Sequence, residues 1–225
     1  MSAATAEASI PAASQTPAPC TGRDGADTLL CGVVGWPLAQ SLSPLLHNTG
    51  FKTLGLPGLY LRWEVPPPKL PAFVDSVRLL HIHGCSVTIP HKVALLPLLD
   101  EISPLARRVG AVNTIYRRGD LLCGDNTDVT GFMAPLAQEP LGGANVLVLG
   151  AGGAARAVVA GLTALEPGSR PGKIHVATPS NRSHLPLAEE FGLEPLDWNS
   201  RHHVQAFLVI NTTPLGMRGK AEDES

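Results

Sequence analysis

The chain has 225 residues, 44 % of them apolar and 16 % charged, with 17 basic against 19 acidic side chains and a net charge of −2. That balance describes a globular protein with a core to bury, and it gives no general attraction for nucleic acid or an anionic membrane surface. No apolar run reaches the roughly 20 residues a membrane-spanning helix needs, and Cys20, Cys31, Cys85 and Cys123 are spaced for neither a CxxC redox pair nor a zinc site.

Residues 1–28 form a part of their own. Eighteen of the 28 are Ala, Ser, Thr or Pro, and Met1 and Ile10 are almost the only large apolar side chains. Such a segment cannot bury enough surface to offset its ordering entropy, so a disordered tail is expected. It lacks the basic start and apolar stretch of a secretory signal, and the expected location is the cytoplasm.

Structure is expected from Leu29. Leu29 to Gly35 reads as a buried strand closed by glycine. Ser43 and Pro44 read as a helix start, hydroxyl at the cap and proline in the first turn, with Gly55 as the stop. Tyr60 to Val65 is a second strand. Leu70, Phe73, Val74 and Val77 recur at helical spacing. Cys85 to Ile89 is a third strand, after which Pro90-His91-Lys92 opens a helix towards Leu99. Ser103-Pro104 starts a short helix that Gly110 ends. Ala111 to Tyr116 and Leu121 to Gly124 flank Arg118-Gly119-Asp120, a hairpin signal. The expected layer over residues 29–129 is α/β, mostly parallel, with one antiparallel pair.

Asp128 can cap a helix from Val129 to about Gln138. After Gly142-Gly143, Asn145 to Leu149 is a strand, followed by a glycine-rich turn and an alanine-rich helix ending near Leu165. Lys173 to Thr178, Leu187 to Phe191 and Ala206 to Ile210 read as strand, helix and strand. Residues 130–225 therefore form a linker helix and half of a doubly wound Rossmann sheet.

Gly150, Gly152 and Ala155 fit G-x-G-x-x-A after a strand and at the opening of a helix. In that context the first glycine makes the tight turn, the second lets backbone approach a pyrophosphate, and the helix N-terminus supplies free N–H groups. A glycine turn without ligand is the alternative. The next strand ends in Thr178-Pro179-Ser180-Asn181-Arg182-Ser183. It offers no carboxylate for ribose hydroxyls and one guanidinium suited to a 2′-phosphate, which favours NADP over NAD. Arg182 as an ordinary solvated arginine stays open. In the first part, Ser41, Ser43, Ser86, Thr88, Lys92, Asn113, Asn126, Thr127 and Asp128 gather where strands end. A small polyol carrying a carboxylate suits such a set. Taken singly, Ser43 and Asp128 are also plausible helix caps and Lys92 a surface lysine.

Six ordered blocks resemble the shikimate dehydrogenase family. They are Gly35-Trp-Pro-Leu-Ala-Gln-Ser-Leu-Ser-Pro44, Ser86-Val-Thr-Ile-Pro-His-Lys92, Gly110-Ala-Val-Asn-Thr114, Gly124-Asp-Asn-Thr-Asp128, Gly150-Ala-Gly-Gly-Ala-Ala-Arg156 and Asn211-Thr-Thr-Pro-Leu-Gly-Met217. The resemblance implies a mixed α/β substrate domain followed by a Rossmann NADP domain, and NADP-dependent reduction of 3-dehydroshikimate to shikimate in aromatic amino-acid biosynthesis. It further implies that Lys92 and Asp128 are the catalytic pair, that Ser41 and Ser43 bind the substrate carboxylate, and that Ser86, Thr88, Asn113 and Asp128 meet its ring. Gly150, Ala151, Gly152, Gly153, Ala154 and Ala155 would cradle the cofactor, with Asn181 and Arg182 at its 2′-phosphate and Thr212 and Met217 near the nicotinamide. The substrate is then a small molecule, no metal is called for, and the state is monomer or homodimer.

The chain departs from the family's pattern in places. Ser86 stands where the family usually has Asn, so one substrate hydrogen bond is lost or bridged by water. Gln40 replaces a His. The family's Asn-Arg-Thr falls either on Thr178-Pro-Ser180 or, with a shift, on Asn181-Arg-Ser183. The chain also stops at Ser225, before the family's C-terminal segment. Two alternatives remain open: a non-catalytic fragment that binds shikimate or nucleotide, and a quinate/shikimate dehydrogenase using NAD.

Overall fold

The structure is a computed structural model and describes residues 28–216. The expected tail, apart from Thr28, and Met217 lie outside the described residues.

Two sheets carry the chain. The first holds β1 (Leu29–Gly35), β2 (Gly58–Glu64), β3 (Gly84–Val87), β4 (Glu101–Ile102), β5 (Thr114–Arg118) and β6 (Leu121–Asp125), in the order β2-β1-β3-β5-β6-β4. β5 runs antiparallel to both β3 and β6, so the layer has two antiparallel pairs rather than the expected one. β4 is only two residues long and carries no readable period.

Helices α1 (Ser43–Leu54), α2 (Leu70–Leu79), α3 (Pro104–Val109) and α4 (Asp128–Met133) join these strands. α2 buries Leu70, Val74 and Val77 at helical spacing against Val34, Cys85, Val87 and Ile115. Each such side chain contributes about 1.5–3 kcal/mol when fully buried. Ser103 caps α3, its hydroxyl accepting from the Ala106 N–H at 3.0 Å, and Gly110 ends it with φ 67°.

The helix expected from Pro90 does not form. Residues 92–95 make a turn, and only Leu96–Leu98 is helical, as a 3₁₀ segment. The Lys92 carbonyl accepts instead from the Val112 N–H at 2.7 Å, and the His91 ring donates from Nε2 to the Val65 carbonyl at 2.7 Å. The Val112 bond takes the Lys92 carbonyl from a helical ladder and Pro97 has no N–H to continue one, so a single turn survives, the Leu95 N–H donating to the His91 carbonyl at 3.0 Å. α4 likewise is short, passing into a 3₁₀ turn over Ala134–Leu136.

The second sheet holds β7 (Asn145–Leu149), β8 (Lys173–Ala177), β9 (Glu194–Pro195) and β10 (Leu208–Asn211), all parallel, in the order β10-β7-β8-β9. Helices α5 (Gly153–Thr163) and α6 (Leu185–Phe191) cover one face, packing Val158, Leu162 and Leu187 on Val146, Val148, Ile174 and Val176. The strand order reverses between β7 and β10. That switch point is where open α/β sheets bind ligands, and the glycine-rich turn stands on it.

Between the two sheets, Val109, Ala111 and Val129 pack with Ala157 and Ala160 of α5. Arg156 of α5 donates from Nε to the Val109 carbonyl at 2.7 Å, pairs with Glu190 at 2.5 Å and lies over the Phe191 ring. Its guanidinium thereby holds the C-terminus of α3 against the second sheet. Among the described residues no helix is long and apolar enough to cross a membrane.

Candidate active site

The carboxyl ends of β1 and β3 and the loops after them build one wall. Trp36 donates its N–H to the Ile89 carbonyl at 2.9 Å, and Thr88 donates to Val34 at 3.0 Å. Arg62 of β2 reaches over and donates to the Leu38 and Ala39 carbonyls at 3.2 and 2.7 Å. With the loop so fixed, Ser41, Ser43 and Thr88 line a cavity of about 270 Å³ together with Trp36, Gln40 and Pro214. Hydroxyls and α1's first turn face a common space there, a suitable place for a carboxylate.

Lys92 and Asp128 meet. The Lys92 ammonium donates to Asp128 Oδ2 at 2.5 Å. Both side chains are largely withdrawn from solvent, 14 % and 31 % exposed. The other carboxylate oxygen accepts from Asn113 Nδ2 at 2.7 Å. Asn113 is itself locked, because its backbone N–H donates to Asp125 and its carbonyl accepts from Val87. Its side-chain oxygen accepts from the Thr127 N–H and from Thr114 Oγ1. Asp128 is therefore the first residue of α4 rather than its cap. Its carboxylate is committed to Lys92 and Asn113, and the buried Asn126 side chain accepts the Asp128 N–H at 3.1 Å.

A second cavity of about 620 Å³ adjoins the first and shares Thr88, Ile89 and Pro214 with it. Lys92 lines it on one side and Gly150 to Ala154 on the other. Gly150 has φ 113°, and a Cβ there would stand 2.3 Å from Thr212 Oγ1, so only glycine fits between β7 and β10. Gly152 meets nothing within 4 Å of a built Cβ. Its lack of a side chain serves no packing need, and it leaves the opening of α5 bare. Gly153 touches the root of Lys92, where a Cβ would come within 2.7 Å of the lysine's own Cβ. The glycine turn and the lysine–carboxylate pair are thus in direct contact. These features fit a dinucleotide: backbone N–H groups at a helix N-terminus, with room for a pyrophosphate to approach.

Not every expected residue lies in these cavities. Ala155 is fully buried in the core of the second sheet, where its small size lets α5 pack closely. Asn181, with φ 53°, turns away, its amide donating to Asp197 at 2.7 Å and accepting from the Trp198 N–H. Arg182 is exposed and outside the cavity lining. The lining at the end of β8 comes from Thr178, Pro179 and Ser180 of the unshifted reading and from Ser183 of the shifted one. Thr178 Oγ1 bonds His184 Nδ1 at 2.9 Å, and burial lowers the pKa of that imidazole. Thr212 lines the cavity and donates from Oγ1 to the Leu149 carbonyl at 2.7 Å. Ser86 lines neither cavity; its Oγ accepts from the Tyr60 hydroxyl at 2.7 Å. Thr213, Pro214 and Leu215 also face the larger cavity. The block Asn211 to Met217 was the sequence signal that could have singled them out.

A half-Rossmann sheet whose glycine turn touches a lysine–carboxylate pair on a separate α/β layer is the architecture of a dinucleotide-dependent oxidoreductase. Comparison with known proteins narrows it. Residues 33–115 match the family model for the shikimate dehydrogenase substrate binding domain. Shikimate dehydrogenase (NADP(+)) of Pelobacter propionicus is 53 % identical over 198 residues, covering 87 % of this chain and 70 % of that protein. The same-named protein of Oleidesulfovibrio alaskensis is 47 % identical over 199 residues, covering 87 % and 69 %. Among solved structures, shikimate dehydrogenase from Aquifex aeolicus superposes with a TM-score of 0.76 at 32 % identity, covering 87 % of this chain and 73 % of that one. The Thermus thermophilus enzyme, solved with NADP(H) and shikimate, gives 0.70 at 39 % identity and covers 84 % and 70 %. The chain belongs to the shikimate dehydrogenase family.

Proposed function

We propose that this chain catalyses the NADP-dependent reduction of 3-dehydroshikimate to shikimate and its reverse. The observation that carries the reading is the Lys92–Asp128 pair at 2.5 Å, seated against Gly153 of the dinucleotide turn. Its family membership supplies substrate and cofactor: relatives are named for NADP, and one is solved with both NADP(H) and shikimate. In this reading residues 29–129 form the substrate half and residues 130–225 the cofactor half.

The bound nicotinamide supplies the hydride acceptor for shikimate oxidation and the donor for the reverse. The rest falls to the chain. Ser41 and Ser43 receive the substrate's carboxylate in the smaller cavity, and Thr88, which lines both cavities, meets the ring on its way towards Lys92. Asp128 uses one oxygen on Lys92 and one on Asn113, so its orientation is set before substrate arrives. One of the three ammonium donors of Lys92 is spent on Asp128, leaving two for the reacting oxygen. As the carbinol carbon gives up its hydride, the hydroxyl proton passes to Lys92 Nζ while Nζ hands the proton already shared with Asp128 Oδ2 to that carboxylate; in the reduction the same two transfers run in reverse. Pro214 and Ile89, shared by both cavities, line the junction between them. Asp128, Asn113 and Thr127 form the support that keeps Lys92 in place.

The test is Lys92→Met. Removing the proton carrier lowers kcat by about 10²–10⁴-fold, while the chain stays folded and still binds shikimate. Full turnover in a folded Lys92→Met variant overturns the assignment.

A further inference from the structure

Tyr60 is an unexpected participant. It sits on the edge strand β2 and is 4 % exposed. α1 holds it from two directions. Asn48 donates to the Tyr60 carbonyl at 2.9 Å and accepts from its N–H at 2.8 Å, pairing with the free strand edge as a neighbouring strand would. The His47 ring stacks on the Tyr60 ring at 4.1 Å and 9°. Across the sheet, the phenol donates to Ser86 Oγ at 2.7 Å. Burial raises the Tyr60 pKa, so the phenol keeps its proton through the neutral range.

Ser86 is well placed for this bond to matter. It is the register partner of Val33, which lines the smaller cavity, and it stands two residues before Thr88, which follows β3 and lines the same cavity. On its other side it pairs with Thr114, whose hydroxyl bonds Asn113 of the proton-transfer group. A serine hydroxyl has one proton and two lone pairs. With one lone pair filled by the buried phenol, the Ser86 hydroxyl keeps its own proton free to donate on the face of the sheet it shares with its register partner Val33.

We propose that Tyr60 is a positioning residue of the shikimate site, acting through Ser86: its hydroxyl fixes the Ser86 rotor as a donor to the substrate ring, and α1 fixes Tyr60. The inference rests on the reading that Ser86 meets the substrate. It makes the shorter side chain at residue 86 a working donor in place of the amide usual in the family. It also ties α1, which carries Ser43 for the carboxylate, to the residue that meets the ring.

The experiment is a double-mutant cycle on the full chain with Tyr60→Phe and Ser86→Ala, read as shikimate Kd by calorimetry and as KM and kcat. Tyr60→Phe keeps the ring in its stack and removes only the hydroxyl. It is expected to weaken shikimate roughly three- to ten-fold, with kcat and the KM for NADP within about two-fold. In the Ser86→Ala background the same substitution is expected to change the shikimate Kd by less than about 1.5-fold. Asn48→Ala loosens Tyr60 while leaving its hydroxyl, and it goes through the same cycle as a second variant, so a poorly folding Tyr60→Phe does not stop the test. Ser86→Ala without effect on shikimate binding overturns the reading of Ser86 and the proposal with it. Ser86→Ala with an effect, but Tyr60→Phe and Asn48→Ala silent or equally damaging in both backgrounds, overturns the proposal alone. A wild-type chain that does not bind shikimate overturns both.

Discussion

Gly152→Ala separates a glycine kept for a ligand from one kept for the fold. Gly152 has φ −81° and ψ −171°, an extended conformation open to any residue, and an added Cβ meets nothing within 4 Å. Alanine is a poorer start to α5 than glycine, by about 1 kcal/mol or less. Stiffening the unfolded chain returns about 0.4–1 kcal/mol. The two offset, so the melting temperature is expected to move by no more than about 2–4 °C. The methyl group instead projects where a pyrophosphate must approach the helix N-terminus, and NADP affinity is expected to fall at least about ten-fold. Gly150→Ala is the contrast. It combines φ 113° with a Cβ 2.3 Å from Thr212 Oγ1 and 3.1 Å from the Thr212 carbonyl carbon. Backbone strain and overpacking there cost about 2–6 kcal/mol together. Calorimetric titration with NADP and thermal melts of both variants decide the matter. A Gly152→Ala chain that binds NADP as tightly as wild type refutes the reasoning, as does one that melts as early as Gly150→Ala.

Other expectations follow from the same geometry. Asn113→Ala frees one oxygen of Asp128 and leaves Thr127 and Thr114 without their shared partner. It should lower kcat by about 10-fold or more and stability by about 1–3 kcal/mol, seen in steady-state kinetics and denaturant melts. Cys85 is buried and its thiol is pushed up to about 12, so iodoacetamide at mildly alkaline pH should label it only after unfolding, as mass spectrometry would show. His184 is buried and neutral, its pKa lowered by desolvation although Asp197 nearby partly opposes this. The unfolded chain therefore takes up that proton first as pH falls, and stability is lost below about pH 6.5. A His184→Asn variant should show a shallower acid-side decline in melting temperature.

Much of this organisation was legible in the sequence, and what was not has physical causes. β1 and β7 match their expected spans residue for residue, because a short apolar run closed by glycine has few other uses. The hairpin at Arg118-Gly119-Asp120 and the helix ends at Gly55 and Gly110 also held, since each rests on local backbone chemistry. The failures are tertiary. The apolar segment after Pro90 has helical character, yet Val112 takes the Lys92 carbonyl and Pro97 supplies no N–H, so only one turn forms. β4 and β9, two residues each, exist only because a neighbouring strand is there to pair with. Asp128 has a cap's position by sequence, but Lys92, 36 residues away, claims its carboxylate. The block order located Lys92, Asp128, Asn113 and the glycine turn in one region. It could not tell that Asn181 turns to Asp197, or that Tyr60 reaches Ser86, because neither bond leaves a periodic trace.

The most direct measurement is shikimate-dependent formation of NADPH by the purified chain, with NAD and quinate as parallel substrates. Turnover with shikimate and NADP, carried by Lys92 and Asp128, is the expected result. A folded chain that binds neither shikimate nor NADP, and turns over neither, would contradict it.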